Sequence, residues 1–552
     1  MKLKTFMLSL LALVIFVGCN ERQLIPDLDS NASYMTVKLI SPTDALTKGT
    51  PGGFVAGTAN EGKINNAHFY FYDVLGNYVV EGETLSNLGT TTNPVGSNVE
   101  RHTDVTIVLK NVTVLPDQML VVLNLPADKL TLFPGKSLTQ AQAQLSDIYW
   151  NANDSFIMTS STYLDGTTVV STTRNISGHL KKTGAEAVAN PVSAYVERLA
   201  VKGSLTMGDP AGTNPDMPNV FPCTTPVKAP FQGGDQDVTI YINGWGFSNL
   251  NKQSYYIKKI DAGWNFTWTW NATANFRSHW AQDPNYTDGV YPTNFADLRD
   301  TGSGDLITPA TASLIYKAYN QIASTTWRTA DYCQENTIAG DLLTGNRYMN
   351  AATNILVAAQ MKRTTASETD YVTLYRFNGI FYTWAQYSAQ LATQLNLSYQ
   401  KTDGTAYTAA DFQIPDPENA STCTNLYDGE IKPLFTAGAA ELSTPDAIKY
   451  LAGERFITEV FTEGRMYYSI PIEHFLNPTY NKTNPSDPFL VGDFGVVRNH
   501  YYRVTVTDIK NIGIGVFDVK EPIVPNYDPS TYYLAAQLNI LAWQTVTQNV
   551  EL

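Results

Sequence analysis

Leu538-Asn539-Ile540-Leu541-Ala542-Trp543-Gln544-Thr545-Val546-Thr547-Gln548-Asn549-Val550-Glu551-Leu552 is the stretch that decides the fold. Its apolar residues Leu538, Ile540, Ala542, Val546, Val550 and Leu552 fall on even positions, while Asn539, Thr545, Thr547, Asn549 and Glu551 occupy odd ones. A period of two marks a β-strand with one buried face. At about 15 residues the segment is far longer than the usual ~5–6 of a strand. Before it, residues 521–530 hold Pro522, Pro525 and Pro529 and read as an extended linker. A single amphipathic strand on such a linker cannot bury its apolar face alone. It must close its own domain's sheet or enter a groove on a neighbour by strand addition.

The other end of the chain supplies a counterpart. Tyr34-Met35-Thr36-Val37-Lys38-Leu39 alternates like a half-buried strand, with Met35, Val37 and Leu39 toward a core. Residues 42–53 then form a Pro-, Thr- and Gly-rich loop in which Lys48 is the one basic residue, so the Lys48-Gly49 bond is an exposed target for a trypsin-like protease. Upstream, Lys2 and Lys4 precede a mostly apolar run over residues 6–17 that ends in Gly18-Cys19. This predicts a secretory signal peptide over residues 1–18, too short for the ~20 apolar residues of a membrane span. Gly18-Cys19 resembles the bacterial lipobox, which implies lipidation of Cys19. No other segment is apolar enough to cross a bilayer, so the remainder is expected to lie outside the inner membrane.

The 552 residues between these ends exceed what one core can organise. Charged residues make up 16%, below the ~25% of an average soluble chain, while 32 Tyr and 9 Trp argue against disorder. Thirty-seven Gly and 28 Pro favour many short strands joined by turns. Strands are predicted at residues 68–72, 78–80, 105–109, 119–125, 195–205, 238–242, 352–361, 466–472 and 502–507. Helical spacing appears at 138–145, 314–322 and 384–395, and Ser443-Thr444-Pro445-Asp446 caps a further short helix. The expectation is an all-β chain of two transthyretin-like, Greek-key β-sandwich domains with short helical insertions. Residues 19–48 form a propeptide carrying the first strand, 49–190 the first sandwich, 191–520 the second, and 521–552 the linker and terminal strand. The Pro-rich residues 209–230 read as a surface loop of the second domain.

Several functions are disfavoured. A formal charge of -14 supplies no basic footprint for nucleic acid. No G-x-S-x-G elbow, P-loop, H-E-x-x-H or G-x-G-x-x-G occurs, so no enzyme activity, cofactor or metal is expected. Arg498-Asn499-His500 reads as a structural turn. Beyond Cys19, the three cysteines Cys223, Cys333 and Cys423 allow at most one bridge and sit in no zinc-like spacing. Trp264, Phe266, Trp268 and Trp270, followed by Trp280, would line one strand face. Such a row either packs against neighbouring strands or stacks on sugars. A lipid-anchored surface glycan-binding protein is therefore the alternative reading. A glycosidase, whose paired carboxylates sequence cannot reveal, stands below it.

Taken in order, the motifs resemble the type V pilins, the Mfa-type major fimbrial subunits of Bacteroidia. The resemblance rests on the lipobox at Cys19, the strand and basic loop ending at Lys48, and Lys63-Ile64-Asn65-Asn66-Ala67-His68-Phe69-Tyr70-Phe71-Tyr72-Asp73 with Gly76. It continues through Val196-Glu197-Arg198-Leu199-Ala200-Val201-Lys202, Arg277-Ser278-His279-Trp280 and Tyr467-Tyr468-Ser469-Ile470-Pro471-Ile472. Gly495-Val496-Val497-Arg498-Asn499-His500, Ile509-Lys510-Asn511-Ile512-Gly513 and the terminal strand with Trp543 complete it. The resemblance implies a shaft subunit exported as an outer-membrane lipoprotein and cut after Lys48. The strand bearing Met35, Val37 and Leu39 would be removed, and the next subunit's terminal strand would take its place. Its partners would be other pilin subunits, anchor and tip subunits, a trypsin-like protease and host or bacterial surface ligands. Lys48 stands where the best-known relatives carry Arg, so an Arg-only protease would not serve.

Overall fold

The computed structural model describes residues 32–42, 57–58, 60–86, 88, 99–110, 112–151, 155–161, 163–165, 169–207, 221–222, 227–260, 281–286, 314–324, 326–337, 351–363, 371–416, 429–474, 494–525, 538–539 and 544–551. Its first sheet contains β1 (Ala32–Pro42), β2 (Asn66–Tyr72), β3 (Tyr78–Glu81), β4 (Val99–Lys110), β5 (Gln118–Leu123), β6 (Met158–Ser160) and β7 (Val192–Arg198). Their spatial order is β3-β2-β5-β6-β7-β1-β4, and the short segments Leu85–Ser86 and Arg174–Asn175 pair with β2 and β5. Alternation buries one face: Met35, Val37, Phe69, Phe71, Ile107, Met119, Val121 and Val196 share one core. Residues from both ends of the strand order meet there, so the sheet folds over on itself. The approach is tight enough that a Cβ on Gly82 would come within 2.8 Å of Ile107 and 3.1 Å of Phe71.

The second unit is a sandwich of two sheets. It uses β8 (Ala200–Met207), β9 (Val227–Phe231), β10 (Gly234–Ser248), β11 (Asp331–Gln334), β12 (Asn354–Arg363), β13 (Leu374–Phe377) and β14 (Ile380–Tyr382). Then come β15 (Thr458–Phe461), β16 (Arg465–Pro471), β17 (His500–Asp508), β18 (Leu538–Asn539) and β19 (Gln544–Glu551). One sheet runs β11-β8-β17-β19-β18; the other runs β15-β13-β14-β9-β10-β12-β16, extended at its ends by Glu430–Ile431 and Ile514–Gly515. Val201, Leu205, Tyr502, Val504 and Val506 of the first face Ile240, Ile242, Val357, Ala359, Met466 and Ile470 of the second across a common core. In each unit the first strand pairs in parallel with a much later one, β1 with β7 and β8 with β17. The all-β class, with sandwich units and short helical insertions, agrees with the sequence reading.

The helices include α1 (Leu138–Gln142), α2 (Gly184–Ala189), α3 (Trp384–Asn396) and α4 (Pro445–Leu451). In α3 the Thr383 hydroxyl accepts from Gln386 N while the Gln386 side chain returns to the Thr383 N–H, a reciprocal cap. Tyr387, Leu391 and Leu395, four apart, turn one helix face into an aromatic-rich cluster with Tyr407, Phe412, Leu451 and Phe456. α4 opens as expected, with Thr444 accepting from Ala447 N and Pro445 in the first turn, where a missing N–H costs nothing.

Five expectations need correction. The strand predicted over 195–205 is two strands, because Leu199 leaves the ladder, donates its N–H to Ile157 O and buries itself in a separate cluster. As β7 completes the first sheet, the units divide at Leu199 and not at 190. Residues 314–322 give a short strand, Leu314–Ile315, before a single helical turn at Tyr319–Ile322. The loop expected over 209–230 contains most of β9, whose alternate residues Val227, Ala229 and Phe231 point into the core. Finally, the terminal segment is two strands rather than one: β18 pairs antiparallel with β19, Leu538 opposite Gln548 and Asn539 opposite Thr547, so the chain reverses between them.

Candidate functional site

Strand β1 lies inside its sheet. It pairs in parallel with β7, Val37 opposite Val192 through Ile40 opposite Tyr195, and antiparallel with β4 from Ala32 opposite Lys110 to Pro42 opposite Val99. Met35 and Val37 are fully buried in the first core. Leu39, whose backbone stands opposite Thr103 and Ala194, continues the same register parity. The expectation of a half-buried strand understated its burial: Tyr34 and Thr36, on the opposite face, are 2% and 3% exposed. Tyr34 packs with Ala187 of α2 and Val108 of β4, and exchanges two backbone hydrogen bonds with Lys181, each 2.8 Å. The Thr36 and Thr106 hydroxyls meet at 2.9 Å. The covering helix escaped sequence reasoning, although Thr183, whose hydroxyl accepts from Glu186 N, is the signal that opens it.

The terminal strand closes its own domain's sheet in this structure. β19 pairs in parallel with β17, from His500 opposite Gln544 to Asp508 opposite Glu551. Val546 and Val550 hold register positions opposite Tyr502 and Val506, and Leu538 lies on β18. Ile540, Ala542 and Leu552 lie outside the described residues, as do Cys19, Lys48, Gly49, Cys223, Cys423 and the aromatic row Trp264 to Trp280. Cys333 is a free thiol, 1% exposed, and burial pushes its ionisation well up.

Between the two units sits a buried polar joint. Lys202 Nζ lies 2.7 Å from Glu61 Oε1, Arg198 Nε donates to Glu61 O at 2.7 Å, and the Tyr332 hydroxyl donates to the Glu61 carboxylate. Burial by itself would raise the Glu61 carboxyl, but Lys202 and the Tyr332 hydroxyl hold it below its ordinary value. Lys258 pairs with Glu197 at 3.2 Å, and here burial prevails, pushing the Glu197 carboxyl up. Arg498 donates to Glu335 at 3.1 Å and to the carbonyls of Tyr256 and Tyr255 at 3.1 and 2.7 Å. The turn read at Arg498-Asn499-His500 is thus structural: Asn499, at φ 59°, donates its N–H to Ala200 O and receives Arg198 N–H on its side chain. Tyr255 and Ser254 pair with Leu145 and Ser146, while Tyr256 and Ile257 complete a cluster with Tyr70, Tyr72 and Phe133. A segment of the second half of the chain therefore finishes the outer core of the first.

Residues 459–549 match the family model described as major fimbrial subunit protein type IV, fimbrillin, C-terminal. Over these residues the chain is similar to a fimbrillin C-terminal region. The matched stretch runs from β15 through β17 into the terminal segment, so β17 and most of β19, which pairs with it, fall within one match. It upholds the resemblance read from the sequence and supports a subunit of a cell-surface fimbria. Among solved structures, a fimbrilin from Porphyromonas gingivalis W83 is similar at 12% identity, with 95% of this chain and 98% of that chain covered and a TM-score of 0.33. A putative cell adhesion protein from Parabacteroides distasonis ATCC 8503 is similar at 11% identity over 94% and 98%, TM-score 0.35. The tip fimbrial protein Mfa3 from Porphyromonas gingivalis, C-terminally truncated, is similar at 10% over 61% and 83%, TM-score 0.29. The fimbrillin match, and not these loose superpositions, carries the assignment. No curated protein matches the chain.

Proposed function

We propose that this chain is a structural, non-enzymatic shaft subunit of an adhesive fimbria. It is exported as an outer-membrane lipoprotein through Cys19, cut between Lys48 and Gly49, and polymerised when a neighbour's terminal strand takes the place of β1. One observation carries the reading: the strand that cleavage would free is an interior strand, flanked by β7 and β4. Its loss opens a slot lined by Phe69, Phe71, Ile107 and Val121 and exposes two unpaired backbone edges. In the described sheet β4 has no strand neighbour besides β1, so an empty slot also detaches β4. An open apolar slot between two bare edges is a template for an incoming strand.

The terminal segment suits that slot. Burying its six even-numbered apolar side chains at ~1.5–3 kcal/mol each gives on the order of 10 kcal/mol before association costs. On its own subunit, β19 pairs along its length with β17 but on its other side only with the two residues of β18. Between β7 and β4 it gains a full-length partner on both edges. Slot and strand sit on different units of the chain, so the contact is head-to-tail and builds an open filament. An anchor would keep its lipid and escape cleavage, and a tip would lack the donor, so both features support a shaft subunit over either.

The Lys48→Ala precursor tests the reading. Mass spectrometry of the surface form should find a chain that begins at acylated Cys19, and electron microscopy should find no fibres. Normal fibres from that variant would refute processing at Lys48.

A further inference from the structure

The strand directions fix where a neighbouring subunit must stand. β7 ends at Arg198, directly before β8 and the second unit, and β1 runs parallel to it. The start of β1, where Ala32 faces Lys110, therefore lies at the pole of the first sandwich farthest from the second. The same holds for the end of β2 and the start of β5. Ala67 pairs with Leu123, Leu123 with Met158 and Met158 with Arg198, which puts the opposite pair, Tyr72 and Gln118, at the far pole.

Two loops at this pole carry large aliphatic side chains into solvent. Val74 and Leu75 are 72% and 82% exposed, and Val114 and Leu115 are 52% and 76% exposed. The loops lie side by side, because Asp117 N donates to Tyr72 O at 2.9 Å and Gln118 Nε2 to Asp73 O at 3.2 Å. The first is rigidly built. Asp73 Oδ1 accepts from Leu75 N and Asn77 N, both at 2.8 Å; Gly76 takes φ +80°; and Leu138 N donates to Gly76 O at 2.8 Å. Exposed aliphatics on a preordered turn bring contact area without an ordering cost on docking. With the second unit in place all four side chains remain more than half exposed.

The occupant follows from polarity and reach. The terminal strand already pairs in parallel with β17, the long strand that precedes it in its own sandwich, as β1 pairs in parallel with β7, the last strand of the first. A donor that keeps this polarity enters the β1 slot at the far pole and runs toward the second unit. The stretch between Pro525 and Leu538 spans at most roughly 47 Å when fully extended. The body that supplies the donor is therefore held within that distance of Val74, Leu75, Val114 and Leu115.

We propose that this apolar pole is a docking surface for a second copy of the chain, the copy whose terminal strand fills the β1 slot. The proposal rests on the strand-exchange reading and adds a second contact that the strand alone does not make.

The test separates the two. Full-length chain nicked by limited trypsin digestion is compared with the Leu75→Asp/Leu115→Asp variant treated identically. One readout is uptake of a synthetic peptide of residues 538–552; the other is fibre growth followed by light scattering and electron microscopy. The variant should take up peptide like the wild type and grow fibres about tenfold slower or worse, as loss of an interface hot spot requires. Fibre growth at the wild-type rate overturns the docking surface, and so does a loss of peptide uptake, which would place these residues in the slot's own folding. Failure of the wild type to take up peptide would instead overturn strand exchange itself.

Discussion

Deleting residues 538–552 is expected to leave a folded, processed subunit that no longer polymerises. The described core of the second sandwich draws on every strand from β8 to β17, and the terminal segment forms the outer end of one sheet, where β17 is the sandwich strand it pairs with. Its removal bares one edge of β17 but leaves Tyr502, Val504 and Val506 in place beneath it. The truncated chain should keep a cooperative thermal transition. Assembly loses on the order of 10 kcal/mol of apolar burial, with every backbone hydrogen bond the donor would make. Sedimentation velocity should show monomer alone, where the intact processed chain gives fibres. Truncated chains that form fibres of ordinary length would mean that some other element fills the slot.

The second large effect concerns the joint between the units. Arg498→Met should destabilise the chain by about 3–5 kcal/mol, since it leaves the Glu335 carboxylate without its cation in a buried site. Both side chains are 1% exposed, and Arg498 also serves the carbonyls of Tyr255 and Tyr256, the residues through which the second half of the chain completes the first unit's outer cluster. Urea denaturation followed by tryptophan fluorescence reads the loss. Arg498→Met/Glu335→Gln should recover part of it, because the stranded charge is gone. A single-variant cost under about 1 kcal/mol, the value of an exposed pair, would show that the joint is not closed to water.

How much of this the sequence disclosed depends on whether the deciding contacts are local. The alternation at Met35, Val37 and Leu39 is a period-two signal and was readable. That Tyr34 and Thr36 are buried as well depends on α2 folding over them from 150 residues downstream, which no periodicity records. The reversal between β18 and β19 escaped for a related reason: a hairpin need not disturb the even-odd phase, so two paired strands look like one long strand. Leu199 illustrates the same limit, since an apolar residue continuing an alternating run gives no hint that it leaves the ladder to bond Ile157. The capped helices α3 and α4 were legible because caps are local chemistry at Thr383 and Thr444. The joint formed by Glu61, Lys202, Glu197, Lys258, Glu335 and Arg498 was not, because its charges come from five distant stretches of chain. Arg498-Asn499-His500 was recognisable as a turn, but its partners were not.

In the proposed assembly, β1 gives way to a neighbour's terminal strand. The most direct measurement is a reconstruction of the assembled fibre by electron cryomicroscopy at a resolution that identifies side chains in the strand between Val192–Arg198 and Val99–Lys110. Strand exchange predicts residues from the segment 538–552 of an adjacent subunit there, running parallel to the former strand. Finding residues 32–42 of the same subunit still seated between β7 and β4 would contradict the account.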